Sequence, residues 1–494
     1  MSDHVEDQIR LGLRLVAEDV QPPVPARRQA RPSRRLILAF GLAATVAGLL
    51  AGTLGRSSSP STLFLPDAFN YYKPASVTGI IGGPDMFSTA RLSGVSAVSG
   101  DDVWVIGSDP CCWKGVTPRS LAWHWNGEAW RSFATPSVRQ AYPDIAAVAS
   151  IDSRDAWAVG TARTFTVSPS GRHWPGPNYA LIEHWDGNRW AIVRTPRLGE
   201  ARLAAVSAAG PDDVWTVGTT YRQGGLSRRD PNSWRPLLLH WDGATWRTIR
   251  LPWAAPGLSL DRVVATGPSS VWAVGTHTDW TNRKGVYLDR SILEYWDGVR
   301  WHDVRAPFGP DDPIADFSAT SGSDAWAVGS YSLGEARQVA FAGALAAHWN
   351  GSEWQITPVP NREGANNSWL FAVAAARSDD AWAVGVSEHN TRKHGEEPVL
   401  LLEHWDGTSW YATPGPALST WDGYGFRIAA AADGSALAVG SSDCDNVVLR
   451  WAGGSWTLSR HPPDRVALGR TQLPRCTSLG GFRPGPTGAT SPIG

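Results

Sequence analysis

Cysteine, methionine and net charge are all scarce in this sequence of 494 residues. Its 4 cysteines are too few for a small disulfide scaffold, and none form a C-x-x-C pair of the kind that holds zinc. Lys and Arg number 45 against 46 Asp and Glu, a formal net charge of −1, so no strongly basic domain points to nucleic acid. Charged residues make up only 18% and hydrophobic ones 42%, which is too apolar for a broadly disordered chain. A nucleophile elbow, an H-E-x-x-H helix, a glycine-rich phosphate loop and a haem attachment motif are all missing. No cofactor and no metal is therefore expected. What is abundant is tryptophan, 28 residues against 2 Met and 10 Tyr.

One apolar stretch stands apart. Residues 36–55, LILAFGLAATVAGLLAGTLG, carry no charge over a length that suits a bilayer core of ~30 Å. Arg27, Arg28, Arg31, Arg34 and Arg35 precede it without an acid among them. The positive-inside bias then predicts a single-pass anchor in the cell membrane, with the N-terminus cytoplasmic and all that follows residue 55 extracytoplasmic. Gly48 and Gly52 form a G-x-x-x-G that suits helix pairing, although small residues are common in any such segment. The rival reading is a cleaved twin-arginine signal at Ser33-Arg34-Arg35-Leu36-Ile37-Leu38 and a secreted product, against which no A-x-A-like cleavage site lies near Gly55. In the segment 1–35, Val5, Ile9, Leu13, Val16 and Val20 take the one-face spacing of an amphipathic helix. That helix, over residues 3–20, either docks a cytoplasmic partner or merely precedes the anchor. Residues 56–91 read as a stalk, and 459–494 as a Pro/Gly-rich tail.

Residues 92–458 repeat one unit seven times. An apolar pentad ending in Gly reads VWVIG at 103–107 and AWAVG at 156–160, and then VWTVG, VWAVG, AWAVG, AWAVG and ALAVG, closing at Gly440. A hexad alternates with it, WNGEAW at 125–130 and WDGNRW at 185–190, through to a degraded WAGGSW at 451–456. A pentad apolar at every position is a strand covered on both faces, so sheets must stack on either side of it. Asn-Gly and Asp-Gly in the hexads signal β-hairpins. Each unit thus predicts a four-stranded antiparallel meander, strands A to D, with the pentad as B and the hexad closing C to D. Seven stacked meanders predict an all-β, seven-bladed β-propeller. Twenty of the 28 Trp occupy the three repeat positions, where each fills the wedge between blades.

Two other positions recur. Asp102, Asp155, Asp213, Asp324 and Asp380 precede strand B and are expected to bond the backbone amides of their turn. His124, His184, His240, His348 and His404 precede the first hexad Trp. One histidine per blade lies far from the next round a ring, so these are read as structural rather than as metal ligands.

With VWAVG followed by HWDGxxW, the repeat resembles the kelch pattern, and its D-G-x-x-W turn resembles the Asp-box of bacterial neuraminidase repeats. It has one Gly where kelch has two and lacks the leading Ser of the Asp-box. The resemblance covers 92–458 and implies a propeller fold, not an activity.

The A–B and C–D turns are tight, whereas the B–C and D–A connections are long, so one face is elaborated. Trp113, Trp174, Trp234 and Trp280 fall in B–C connections, and Trp253, Trp369 and Trp421 in D–A connections. Arg228, Arg229, Arg283 and Tyr287 lie beside them. Aromatic plates among polar donors suit a cell-surface glycan or protein, the alternative being that these Trp pin long loops to the blades. Asp279, Asp289, Glu335, Glu388 and Asp422 are the acids from which a glycosidase pair would have to come, and nothing in the sequence singles out a pair. Cys111 and Cys112 belong to blade 1, Cys444 to blade 7 and Cys476 to the tail. Neighbouring blades 1 and 7 would allow a disulfide from Cys111 or Cys112 to Cys444 to staple the ring, with the other meeting Cys476, the alternative being a vicinal Cys111–Cys112 bridge. The expected function is a membrane-anchored extracytoplasmic binding or scaffold module. A signalling receptor using the 3–20 helix and a secreted carbohydrate-active enzyme are the alternatives.

Overall fold

Every repeat folds as one four-stranded antiparallel sheet with its strands in chain order, seven sheets in all, in the computed structural model of the chain. The described residues are 91–108, 120–168, 173–222, 231–281, 286–309, 312–332, 342–360, 367–388, 399–416, 426–442 and 445–459. The segment 36–55, the helix expected over 3–20, nearly all of the stalk and nearly all of the tail lie outside them. Among the described residues no helix is long and apolar enough to cross a membrane.

The seven A strands are Arg91–Ser99, Ala141–Asp152, Glu200–Gly210, Leu258–Gly267, Ile314–Ser321, Asn367–Arg377 and Arg427–Ala430. Each contacts the A strand of the next blade, and the seventh contacts the first. The sheets therefore close into a seven-bladed propeller, with the A strands innermost. All four strands of blade 7 are consecutive, so no strand is exchanged across the seam, which is held by packing and by bonds that involve side chains. There Arg450 Nη2 donates to Asp101 Oδ1 at 2.8 Å, and Gly100 N donates to Asp433 Oδ2 at 2.8 Å.

The pentads lie between two sheets, as their composition requires. Val103 and Val105 enter the core shared with blade 7, whereas Trp104 and Ile106 enter the core shared with blade 2. Four wedges share one aromatic build, Trp157 with Trp246 among them, whereas Leu437 takes the Trp position in the wedge between blades 7 and 1. Trp104 meets Trp190 of the next blade edge-on at 5.2 Å, Trp326 meets Trp410 at 5.0 Å, and Trp382 meets Trp456 at 5.4 Å. Truncating one such Trp to Ala costs about 3–5 kcal/mol.

The recurring Asp and His form pairs that the sequence reading did not foresee. His124 Nε2 bonds Asp102 Oδ1 at 2.6 Å, His184 bonds Asp155 at 2.9 Å, and His404 bonds Asp380 at 2.9 Å. Each ring also stacks on the Trp of strand B, at 3.8 Å for Trp382 and His404. The carboxylates thus orient imidazoles instead of capping their own turns. Capping falls to the hexad Asp or Asn: Asp242 Oδ1 accepts from Ala244 N at 3.1 Å and Thr245 N at 2.9 Å. Such amide bonds hold the Asp242 and Asp406 carboxyls below the usual range. The hexad hairpin is a four-residue loop, because its two Trp pair across it, as Trp241 does with Trp246. In blade 7, where Ala452 replaces the acid, Ala452 itself pairs with Ser455 and the turn tightens to Gly453-Gly454, both at positive φ.

A β-bulge recurs in six inner strands. One residue is skipped in the ladder between Leu92 and Gly94, Ile145 and Ala147, Leu203 and Ala205, Leu260 and Arg262, Ile314 and Asp316, and Leu370 and Ala372. The bend this makes explains the pentad glycine. A Cβ on Gly385 would lie 1.9 Å from the Trp369 carbonyl oxygen.

Candidate ligand-binding face

Several connections that the sequence marked as long B–C loops are strands. The second and third strands of blade 2 run over Asp155–Val167 and His173–Trp185, and those of blade 4 over Ser270–Thr281 and Val286–Trp296. Both pairs extend well past the pentad glycine as hairpins. Trp174 therefore sits on a strand opposite Thr166, with 51% of its surface exposed. Trp234 begins the third strand of blade 3, Trp234–Trp241, and pairs with Tyr221. Trp280 and Tyr287 are placed opposite each other by the register of blade 4. Trp113, Trp421, Arg228, Arg229, Arg283 and the four cysteines lie outside the described residues. Trp253 packs edge-on against Trp301 at 6.2 Å and so anchors its loop.

On blade 2 an aromatic stack supports the hairpin. Phe165 lies over His173 at 4.2 Å and 10°, and Tyr142 lies 4.5 Å from Phe165. The Tyr142 hydroxyl bonds His173 Nδ1, and Arg163 pairs with Asp144.

On blade 4, His277, Asp279 and Arg290 share one face of the hairpin. Arg290 Nη2 donates to Asp279 Oδ2 at 2.6 Å and lies 3.3 Å from His277 Nδ1, while His277 Nε2 is 3.2 Å from the Pro256 carbonyl. Thr278 and Asp289 occupy the opposite face, where the Thr278 hydroxyl donates to Asp289 at 2.6 Å. Asp279 and Asp289 thus point to opposite sides of one sheet and cannot flank a single glycosidic bond. Glu335 and Asp422 fall outside the described residues.

A third group lines the inner strands. Arg262 Nε donates to Asp316 Oδ1 at 2.5 Å, and Asp316 Oδ2 accepts from Val373 N at 3.0 Å, tying blades 4, 5 and 6 together. Burial works against the Arg262 charge, but Asp316 and Asp261 together outweigh it and hold the guanidinium above its ordinary value. Burial pushes Asp261 up despite Arg262, Thr276, Ser259 and Arg202 around it. Arg262 and Asp316 take the ladder position filled by Gly94, Ala147, Ala205 and Ala372 in other blades. Charge in a slot of small residues is the sequence signal that marks them.

Three buried glutamates also escaped the sequence reading, Glu183, Glu294 and Glu403, each two residues before the first hexad Trp of blades 2, 4 and 6. Burial raises Glu183 to about 8, although Ser120 donates to it at 3.1 Å. Burial and the facing Asp303 raise Glu294 to about 7. Burial alone raises Glu403 to about 8, and neither of its oxygens has a partner in the described structure. Among the described residues no group of three His, Cys, Asp or Glu is placed to hold a metal ion.

No protein-family model matches the chain, and no curated protein matches it. Solved structures similar to it include YCF48 bound to a D1 peptide, 17% identical over 64% of this chain and 80% of that one, with a TM-score of 0.35. The β-propeller domain of the Trilobed protease from Pyrococcus furiosus is 10% identical over 76% of this chain and 99% of that one, at 0.43. A polysaccharide lyase of the PL25 ulvan lyase family is 10% identical over 76% and 96%, at 0.41. These likenesses have no bearing on activity.

Proposed function

We propose that this protein is a membrane-anchored, extracytoplasmic binding module that takes its ligand on the face carrying the extended hairpins of blades 2 to 4. The observation that carries the reading is the Trp174 hairpin. A Trp with 51% of its surface exposed sits on a strand braced by the Tyr142–Phe165–His173 stack. A half-exposed indole on a braced strand is the kind of group that anchors a ligand. Residues 36–55 and the arginines before them support anchoring with the propeller outside. The kelch-like or Asp-box-like repeat belongs to the same reading, as does a disulfide staple drawn from Cys111, Cys112, Cys444 and Cys476.

The test is binding of the full-length protein in detergent to a panel of cell-wall polysaccharides and to cell-surface proteins, beside a Trp174/Trp234/Trp280→Ala variant. Binding that the variant loses, with its melting temperature unchanged, supports the reading. Equal binding by both proteins refutes the face.

A further inference from the structure

We infer that the junction of blades 3 and 4 is a saccharide subsite for neutral hexose units, with Asp279 and Arg290 bonding a vicinal diol and Trp234 stacking on the ring. This rests on the binding-face reading above and names its ligand class.

The junction is assembled by one loop. Gly257 N donates to the Trp234 carbonyl at 3.4 Å, and Thr278 N donates to the Gly257 carbonyl at 2.9 Å. Pro256 of the same loop accepts from His277 Nε2 at 3.2 Å. The start of the strand Trp234–Trp241 and the polar face of the blade 4 hairpin therefore flank the same two residues. Trp215 and Val217 pack into the core shared with blade 4, so strand alternation puts Tyr221 on that side as well. On blade 4, Val271 and Ala273 enter the same core, which puts His277 and Asp279 on the side facing blade 3.

Stability does not account for the polar group. The Asp279 and Arg290 side chains are 43% and 53% exposed, and an ion pair so open to water contributes little. Its geometry suits a diol. His277 Nε2 lies 3.2 Å from the Pro256 carbonyl, and its Nδ1 lies 3.3 Å from Arg290 Nη2 and 3.6 Å from Asp279 Oδ1, so the ring packs beside the ion pair and helps to place it. Asp279 Oδ1 remains an acceptor, and Arg290 Nε and Nη1 remain donors without a partner among the described residues. A hydroxyl both donates and accepts, so adjacent hydroxyls satisfy a carboxylate and a guanidinium together. The half-buried Trp234 and Tyr221 supply flat apolar surface for the C–H face of a pyranose. A large contiguous apolar patch would mark a protein-docking surface. Among the described residues the large exposed apolar side chains are Val98, Val167, Trp174, Val299, Ile356 and Tyr411, and none belongs to this junction.

The experiment measures retention of the full-length protein in detergent on insoluble neutral glucan, mannan and galactan. Wild type is compared with Asp279→Asn, Arg290→Gln, Trp234→Ala and Trp174→Ala, with Asp289→Asn as the control on the opposite face. The expected result is retention on at least one hexan, weakened about tenfold or more by each of the three junction changes and unaltered by Asp289→Asn. Thermal unfolding confirms that every variant is folded. Wild-type retention that Trp174→Ala abolishes and the junction variants keep overturns this subsite and leaves the wider face standing. Failure of wild type to bind any of the three hexans also overturns it, and capture of a surface protein that Trp174→Ala prevents would then keep the face as a protein-binding one.

Discussion

The buried glutamates make stability fall toward alkaline pH, and Glu403 gives the cleanest test. Its side chain is fully buried, neither oxygen has a partner in the described structure, and burial raises its pKa from 4.5 to about 8. A folded-state pKa above the unfolded one means that the folded protein holds the proton longer. The contribution is then complete below about pH 4.5 and is lost as pH rises through about 8. At about 1.4 kcal/mol per pH unit, the whole span is about 5 kcal/mol for Glu403, of which about 1 kcal/mol is lost between pH 7 and pH 9. Glu183, also raised to about 8, adds a similar loss over the same range. The acids held low, Asp242 and Asp406 among them, act the other way. Their stability is gained as pH rises through the acid range and is constant above it, so they add no slope between pH 7 and 9. The assay is urea unfolding followed by tryptophan fluorescence at several pH values across that window. Glu403→Gln keeps the shape and removes the titration, so the slope of unfolding free energy against pH should fall by about 1 kcal/mol over the window. The buried amide has its own cost, which makes the slope the readout rather than the absolute stability. A wild-type curve flat from pH 7 to 9, or an equal slope in Glu403→Gln, would refute the reasoning.

Two further outcomes follow from the inner strands. Gly385→Ala forces a methyl into the Trp369 carbonyl and should cost about 3 kcal/mol or more, whereas Gly267→Ala, with open space around it, should leave the unfolding midpoint nearly unchanged. Asp316→Asn strips the ion from a pair whose Arg262 and Asp316 side chains are only 28% and 13% exposed. It should destabilise by about 2–4 kcal/mol by leaving the guanidinium unneutralised, and Arg262→Met combined with Asp316→Leu should recover much of that in the same unfolding assay.

Burial on both faces and hairpin chemistry are local properties, and they were legible in the residues. The pentads required sheets on either side, the hexads marked the return turns, and seven alternations of the two set the number of blades. The repeat Trp were assigned to the wedges on size alone, and the wedges are where they pack. Other features depend on what a residue meets across the sheet. Asp102 and His124 are brought together when strand C folds back on strand B, so each taken singly gave the wrong partner for the acid. The glycine of AWAVG looked like the end of a strand, and only the bulge in the neighbouring strand shows the carbonyl that excludes a side chain there.

The elaborated face divides in the same way. Length and composition pointed to an elaborated side, but read extended hairpins as loops because Gly, Pro and polar residues interrupt their alternation. The sequence by itself determined the architecture, since a strand apolar on both sides has one kind of remedy and seven of them form a ring. Tertiary structure decided which side chains converge. Arg290 meets Asp279 across one ladder, Trp234 reaches the same loop from the next blade, and Asp279 and Asp289 part to opposite faces. Such convergence depends on register and on the stacking of one sheet upon another, and neither is written in the order of residues along a single strand.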